Sequence, residues 1–232
     1  YVSERIGESG MGLFTLVMSV YTFAVTFATS GINLAATRMT AEAIGHENER
    51  EIRDAMKRCI LYSLFFGTVG GVGLFSGSHF FGAVLMGDQR TVASLRLLAF
   101  GLPFLSVSSA LNGYFTAVRR VVKNAVCQFF EQMCKIGLTI AGFALFLPKG
   151  LEYACLALVG ASMFAECSSF LLALVLFILD LKKHNRNTGH REKGLTFKLC
   201  AIALPVAVSA YFRSGLVTAE HMLIPWGLKK YG

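Results

Sequence analysis

Long apolar stretches recur along this chain, and they constrain its fold more than any other feature of the sequence. There are six of them, and each reaches the roughly 20 residues that a helix needs to cross the hydrocarbon core of a bilayer. They lie at about 12–37, 59–86, 97–118, 124–147, 153–180 and 197–226. Hydrophobic residues make up 54% of the chain and charged residues only 16%, which excludes an ordinary soluble domain. Because lipid cannot satisfy backbone polar groups, the stretches predict an all-α integral membrane protein with six transmembrane helices.

Small residues within these stretches predict close contact between helix backbones. The second stretch alone contains Gly67, Gly70, Gly71 and Gly73. Because small side chains let helices approach in lipid, we expect this stretch to pack tightly against its neighbours.

Positive charge is distributed unequally between alternate connectors. Fourteen Lys and Arg residues follow the first, third and fifth stretches, whereas six lie on the opposite side. The positive-inside rule therefore predicts cytoplasmic loops near 38–58, 119–123 and 181–196, and an outward-facing start and end of the chain. The net charge of +8 follows the loops instead of one basic face, so it does not predict nucleic-acid binding.

An outward-facing start would require a preceding segment that crosses the membrane, yet Tyr1 follows neither an initiating Met nor a signal peptide. The chain also stops at Gly232, directly after the last stretch. We therefore expect the sequence to be a fragment of a longer membrane protein.

Motifs for hydrolysis, nucleotide binding or redox chemistry are absent from the sequence. The histidines and cysteines do not fall at metal-ligand spacings. We therefore predict a protein that is not an enzyme, with no cofactor and no metal, in which any transport is driven by an ion gradient or by the gradient of the substrate.

Charged residues inside the stretches are costly in lipid, so they are candidate functional residues. Lys135 lies four positions after Glu131, which places the two side chains on one helix face in a favourable order. One interpretation is a neutralised pair. The alternative places Gln128, Glu131 and Gln132, with Lys135, on the wall of a cavity.

The last stretch carries a second group, in which Arg213 and Glu220 are seven residues apart and share a helix face close to His221. Nothing three or four residues from Arg213 neutralises it. Two interpretations stay open, a cavity wall near a helix break at Pro205 or Gly215 and a salt bridge between helices, with Glu166 as the partner.

The first forty residues carry the most specific pattern. Glycines at Gly7, Gly10 and Gly12 precede the first stretch, which leads through Ser30-Gly31-Ile32 to a basic and an acidic residue, Arg38 and Glu42. This pattern resembles the stage V sporulation protein B and polysaccharide-exporter branch of the multidrug/oligosaccharidyl-lipid/polysaccharide exporter superfamily. The third and fourth stretches resemble the fourth and fifth helices of that family. One departure is Asn33, where the family pattern has Pro.

The resemblance implies a MATE-like fold of fourteen helices in two related halves. On that template the six stretches are the second to seventh helices. Residues 1–194 would then form the N-terminal half without its first helix, and residues 195–232 would hold the first helix of the second half. The resemblance also favours a cavity position for Gln128, Glu131 and Gln132, because this stretch matches a polar patch of the fifth helix.

The implied function is alternating-access transport of a lipid-linked oligosaccharide or peptidoglycan precursor across the bacterial plasma membrane, in spore cortex or envelope biosynthesis. The partners would be this anionic glycan precursor, membrane lipid and a coupling cation. Arg38 is either a topology anchor or, by the resemblance, a contact to the pyrophosphate, since a guanidinium matches phosphate oxygens.

Two other functions stay open, a cation-coupled multidrug exporter of the same superfamily and a non-transport membrane scaffold in envelope assembly. Arginines that converge on the central cavity would favour lipid-linked phosphate. Unpaired carboxylates there would favour drug or proton exchange. A scaffold would pair all of its intramembrane charges in fixed salt bridges and would have no polar cleft.

Overall fold

The computed structural model describes residues 2–85, 90–146, 151–183 and 194–231, with side chains described over 15–82, 91–142, 144–145, 156–182 and 194–220. Throughout these ranges the ordered elements are helices. They are α1 Val2–Thr29, α2 Ile32–Gly45, α3 Glu49–His79 with a π-helical extension Phe80–Leu85, α4 Arg90–Ala117, α5 Val121–Phe146, α6 Leu151–Lys183 and α7 Leu195–Tyr231.

Five segments of the described chain are long and apolar enough to cross a membrane, which supports the predicted all-α membrane fold. They are Thr15–Gly45, Glu49–Gly82, Thr91–Ala117, Leu156–Lys182 and Leu195–Glu220. The predicted span 124–147 is helical within α5 and is not one of these five, which were found among the described residues alone. A sixth crossing by α5 stays a prediction.

The first predicted span bends where the sequence places Ser30-Gly31. Gly31 has a left-handed φ of 76°, a conformation that costs glycine little and other residues more. A Cβ at this position would also overlap the carbonyl oxygen of Ala203 in α7. The bend therefore requires glycine both for its conformation and for the close approach of α7.

The predicted loop 38–58 is wrong in its extent, because most of it is helical. α2 continues to Gly45 and α3 begins at Glu49, so the connection is a turn of three residues. Glu47 has a left-handed φ of 53°, and the amide of Asn48 donates to the carbonyl of Ala43 and closes the helix end. Asn48 then caps α3 by accepting a hydrogen bond from the Glu51 amide at 3.1 Å.

α3 packs most extensively against α4, and the glycines explain the closeness of the contact. Cβ atoms on Gly67 and Gly71 would lie only 2.8 Å from the Pro103 Cα and the Ala99 carbonyl oxygen, respectively. Gly70 instead faces α1, and nothing lies within 4 Å of a Cβ on Gly73. The predicted tight packing is therefore confirmed for Gly67 and Gly71, is an ordinary van der Waals contact at Gly70 and is wrong for Gly73.

The connections α2–α3 and α4–α5 lie at the same end of the bundle as the end of α6 and the start of α7. Asn48, Arg119 and Leu181 line one cavity there, and the Lys198 ammonium lies 2.7 Å from a Glu42 carboxylate oxygen. We call this end the basic end, because it gathers the described cations of the three cation-rich connectors. The three connectors therefore lie on one side of the bundle, and the assignment of that side to the cytoplasm stays a prediction. Residues 184–193 of the third connector lie outside the described residues.

Two apolar cores divide the bundle along its length. One core, nearer the basic end, contains Met39, Met56 and Phe115, with Leu199 of α7. The other contains Val20, Leu74, Leu98 and Leu102 in the part of the bundle farther from that end. Ser106 lies near the junction of three helices, with its hydroxyl 2.7 Å from the Ala28 carbonyl and 2.8 Å from the Ser63 carbonyl.

Candidate functional site

A polar cleft of about 670 Å3 opens between α1, α4 and α5. Gln128, Glu131 and Gln132 form its most polar wall, because spacings of three and four residues place them on one face of α5. Counted from Lys123 at the basic end, Glu131 lies about 12 Å along the helix, near the middle of a roughly 30 Å hydrocarbon core. The facing polar residues are Thr29, Ser108, Ser109 and Asn112.

Further polar side chains continue from this cleft towards the basic end. The Asn33 amide donates to the Ser109 carbonyl at 3.2 Å, and the Thr37 hydroxyl lies 3.1 Å from the Gly113 carbonyl. On the other side of α4, the Asn124 amide donates to the Asn112 carbonyl at 3.0 Å. The cleft is thus connected to the basic end by amides and hydroxyls of α2, α4 and α5. Asn33, the departure from the family pattern, contributes one of them.

Glu166 binds a residue that the sequence did not single out. The Tyr21 hydroxyl donates to a Glu166 carboxylate oxygen at 2.9 Å and joins α1 to α6, and the Tyr21 side chain is only 4% exposed. Glu131 and Lys135 lie close enough to Glu166 to interact with it electrostatically. The fold therefore brings Glu131 and Lys135 close to Glu166, the carboxylate that Tyr21 binds. A tyrosine among apolar residues gives no sequence signal for such a role.

Glu131 and Lys135 do not form the direct salt bridge that one interpretation predicted. Within the described part of the chain, neither residue forms an ion pair. Lys135 is partly buried and interacts with Glu166 at longer range, and Glu131 lines the cleft. Glu131 therefore lies on a cleft wall, and its part in binding a substrate stays a prediction.

The α7 residues lie apart from this cleft. Counted from Lys198, Arg213 lies about 22 Å along the helix and Glu220 about 33 Å, so they lie in the far half of a membrane and at its far boundary. Both side chains are exposed, and in the described part of the chain neither forms a salt bridge, including the one predicted to Glu166. The helix is continuous through Pro205 and Gly215, so the predicted break occurs at neither residue. The side chain of His221 lies outside the described residues.

Arg38 lies on α2 near the basic end, where its side chain is 64% exposed. Its Nε is 3.3 Å from a Glu42 carboxylate oxygen, and the other oxygen of that carboxylate binds Lys198 of α7. The Arg58 guanidinium also donates to the Thr196 hydroxyl, so α2 and α3 both hold the start of α7. Arg38 follows Thr37 of the polar connection but does not line the cleft itself.

A buried carboxylate at the basic end was also not anticipated. Asp180 is 2% exposed and pairs with the Arg120 guanidinium, with the Lys123 ammonium at 3.0 Å and with the Tyr114 hydroxyl at 3.2 Å. These contacts fix the α4–α5 turn to α6. The sequence predicted only a topological role for Arg120. The signal for this ion pair was Asp180 itself, an acidic residue close to Lys182 and Lys183 at the end of an apolar stretch.

The groups in the cleft define the chemistry that it can perform. Amides and hydroxyls donate and accept hydrogen bonds as sugar hydroxyls do, and Glu131 adds one carboxylate. Arginines do not line the cleft among the described residues. Within those same ranges, no three His, Cys, Asp or Glu side chains come together as a metal site would require.

Long apolar helices around a polar cleft at membrane depth define a polytopic α-helical membrane protein. A family model described as polysaccharide biosynthesis protein matches residues 1–225. The chain therefore belongs to the polysaccharide biosynthesis protein family, in agreement with the branch that its sequence resembles.

A curated relative supports the same assignment. The chain is 27% identical to stage V sporulation protein B of Bacillus subtilis (strain 168) over 240 residues, which cover 96% of this chain and 45% of the relative. The chain thus spans about half the length of that relative. A search of the solved structures finds no significant match.

Proposed function

We propose that these helices belong to an alternating-access transporter that moves a lipid-linked oligosaccharide or peptidoglycan precursor across the bacterial plasma membrane. The observation that carries the proposal is the cleft at membrane depth, whose wall contains Gln128, Gln132 and Asn112. Membership of the polysaccharide biosynthesis family and the similarity to a sporulation protein support the glycan as the transported group. On this proposal the chain supplies helices two to seven of a fourteen-helix MATE-like exporter, and the whole protein performs the transport.

Within this proposal the cleft binds the glycan and not its phosphates. Its amides and hydroxyls can replace the hydrogen bonds that sugar hydroxyls make with water, whereas phosphate would need cations there. Arg38 is the best placed candidate for the phosphate, because it adjoins the polar connection at the basic end and is exposed. Arg213 is the candidate on the far side of the membrane, where its guanidinium has no ion pair in the described part of the chain.

The test is a leaflet assay of the complete gene product in vesicles. A fluorescent lipid-linked disaccharide is loaded, and its movement is followed by its accessibility to a membrane-impermeant quencher. We expect the double variant Gln128→Ala with Gln132→Ala to slow the movement at least tenfold, because two hydrogen-bonding groups leave the cleft wall. The matched control is Val126→Ala on the same helix, whose exposed side chain does not line the cleft. Equal rates in the two variants would contradict the proposal.

A cation-coupled drug exporter is the second candidate, and Glu131 favours it. This carboxylate lines the cleft and forms no ion pair within the described ranges, an arrangement that suits a cationic substrate or a transported proton. The same vesicles separate the two functions. Three results together would support the drug exporter. A cationic dye would leave the vesicles only under a proton or sodium gradient, the efflux would be lost in Glu131→Gln, and the disaccharide would not move.

A scaffold without transport is the least supported of the three functions. It would require fixed pairing of the intramembrane charges and no polar cleft. The cleft at Glu131 and the unpaired Arg213, both within the described part of the chain, argue against it.

A further inference from the structure

A second concave surface of the bundle is almost wholly apolar. It is a groove of about 490 Å3 between α3 and α4, closed on one side by Phe170 of α6. Leu64, Val72 and Phe100 line it and are each at least 47% exposed, so the described helices leave them uncovered. From Leu64 to Phe75 the groove follows α3 for about 16 Å, roughly half of a 30 Å hydrocarbon core.

Among the described residues that line this groove, one is a cation, and it lies at the end farther from the basic end. Arg96 lines the groove, its guanidinium lies 5.4 Å from the centroid of the Phe75 ring, and its Nε donates to the Ser78 hydroxyl at 3.2 Å. Within the described part of the chain no carboxylate pairs with it. The aromatic ring and the hydroxyl hold the guanidinium in place, and its remaining N–H groups are left for an anion.

We propose that this groove binds an anionic phospholipid of the leaflet farther from the basic end, with its phosphate on Arg96 and one acyl chain along α3 and α4. The volume fits one chain, since 490 Å3 corresponds to roughly 16 groups of the size of a water molecule, about 30 Å3 each. The length fits half a bilayer. A guanidinium matches phosphate oxygens and is costly in lipid without a counter-ion. The site does not depend on the transported substrate.

The bundle provides its own control groove. The surface between α1, α3 and α7 has the same volume of about 490 Å3 and is also apolar, but Lys and Arg do not line it among the described residues. Phe23 lines that groove as Phe100 lines the first one. Any difference in lipid preference between the two grooves therefore reports the contribution of Arg96.

Quenching of tryptophan fluorescence by brominated lipids measures this preference. In the complete protein carrying Trp226→Phe, a reporter tryptophan replaces either Phe100 or Phe23, and any further native tryptophan is also replaced by Phe. The protein is reconstituted with dibrominated phosphatidylglycerol or dibrominated phosphatidylcholine. At the Phe100→Trp reporter we expect the affinity for phosphatidylglycerol to exceed that for phosphatidylcholine about fivefold. One cation near the membrane surface contributes ~1 kcal/mol, which corresponds to this ratio. The Phe23→Trp reporter should show a ratio near one.

Three variants connect the preference to the groove. Arg96→Gln should bring the ratio at the Phe100→Trp reporter to near one, whereas Arg96→Lys should keep most of it. Val72→Phe, which fills the groove and leaves the charge in place, should reduce quenching by both lipids. Unchanged helicity and unfolding midpoints show that these variants fold.

Three results would overturn the proposal. They are equal quenching by the two lipids at Phe100→Trp, a preference that persists in Arg96→Gln, and displacement of phosphatidylglycerol by a lipid-linked disaccharide at low mole fraction. The last result would assign the groove to the transported precursor.

Discussion

At the scale of single residues, several polar contacts inside the described bundle join two or more helices. Tyr21 with Glu166 joins α1 to α6, Ser106 contacts α1 and α3 from α4, and Asp180 joins α6 to the α4–α5 turn. Because water cannot replace a lost partner at these buried positions, each contact should have a measurable effect on stability.

The contact between Tyr21 and Glu166 is the clearest case. We expect Tyr21→Phe to lower the free energy of unfolding by about 1–2 kcal/mol, because the Glu166 carboxylate loses its hydroxyl donor in a half-buried site. Unfolding by titration with SDS in mixed micelles measures the change. Tyr62→Phe is the control, since the Tyr62 hydroxyl has no hydrogen bond within the described ranges. Similar losses in both variants would show that the Tyr21 hydroxyl does not stabilise the fold.

A non-glycine residue with positive φ offers a substitution that we expect to raise the free energy of unfolding. Glu47 has a φ of 53° at the end of α2, where glycine is the favoured residue. Glu47→Gly should therefore raise the unfolding free energy, by up to about 1 kcal/mol. Gly194→Ala should lower the unfolding free energy by a similar amount, because Gly194 has a φ of 88°, which alanine adopts only with strain. A Cβ there would meet nothing within 4 Å, so backbone strain alone would cause the loss. The two midpoints should move in opposite directions, and a shift of both in one direction would exclude backbone strain as the cause.

At the scale of helices, the contact between α3 and α4 depends on glycine at defined positions. We expect Gly71→Ala to cost about 1–3 kcal/mol, because a Cβ at 2.8 Å from the Ala99 carbonyl oxygen forces the two backbones apart. Gly73→Ala, two residues further along the same helix, meets open space and should be neutral or stabilising. Thermal unfolding of the two variants in one detergent tests the difference. Equal midpoints would contradict the backbone contact.

Helix positions could be predicted from the sequence because apolar length is a local property. The bend at Gly31 was not predicted, because residues 12–37 formed one predicted span, although the glycine at which it occurs is part of the Ser30-Gly31-Ile32 pattern. The extension of the helices beyond the membrane could not be predicted from hydropathy. Residues 38–58 are too charged to count as a span, and yet they form regular helix around a turn at Glu47. Helix propensity and capping by Asn48 decide the structure there, and hydropathy does not report them.

The candidate site could be predicted only in part, because its partners come from different helices. The spacing of Gln128, Glu131 and Gln132 placed them on one face, and that face lines the cleft. The partner of Glu166 could not be found, because Tyr21 lies 145 residues earlier in the chain and only packing brings the two together. The positions of Arg213 and Glu220 near the far boundary depend on where α7 begins, which Lys198 fixes through Glu42.

At the scale of the whole molecule, the basic end should face the cytoplasm as one surface. In a cysteine-free background, single cysteines at Glu47 and at Arg119 should both react with a membrane-impermeant maleimide only after the cytoplasmic side is opened. A cysteine at Ser76, an exposed residue near the other end of α3, should react in intact cells. Labelling of positions 47 and 119 from different sides would contradict the grouping of the connectors at one end.

The contact between Gly31 and Ala203 also sets an order of assembly. The bend that follows the first helix is covered by the last helix, so its packing surface is synthesised 172 residues after the bend itself. At about 5–20 residues per second, a ribosome needs roughly ten seconds or more to supply it. Until then the backbone at Ser30-Gly31 has to be covered by lipid, water or a chaperone. A nascent chain stopped before residue 203 should therefore leave this bend open to protease or to a thiol probe, and one stopped well beyond α7 should protect it.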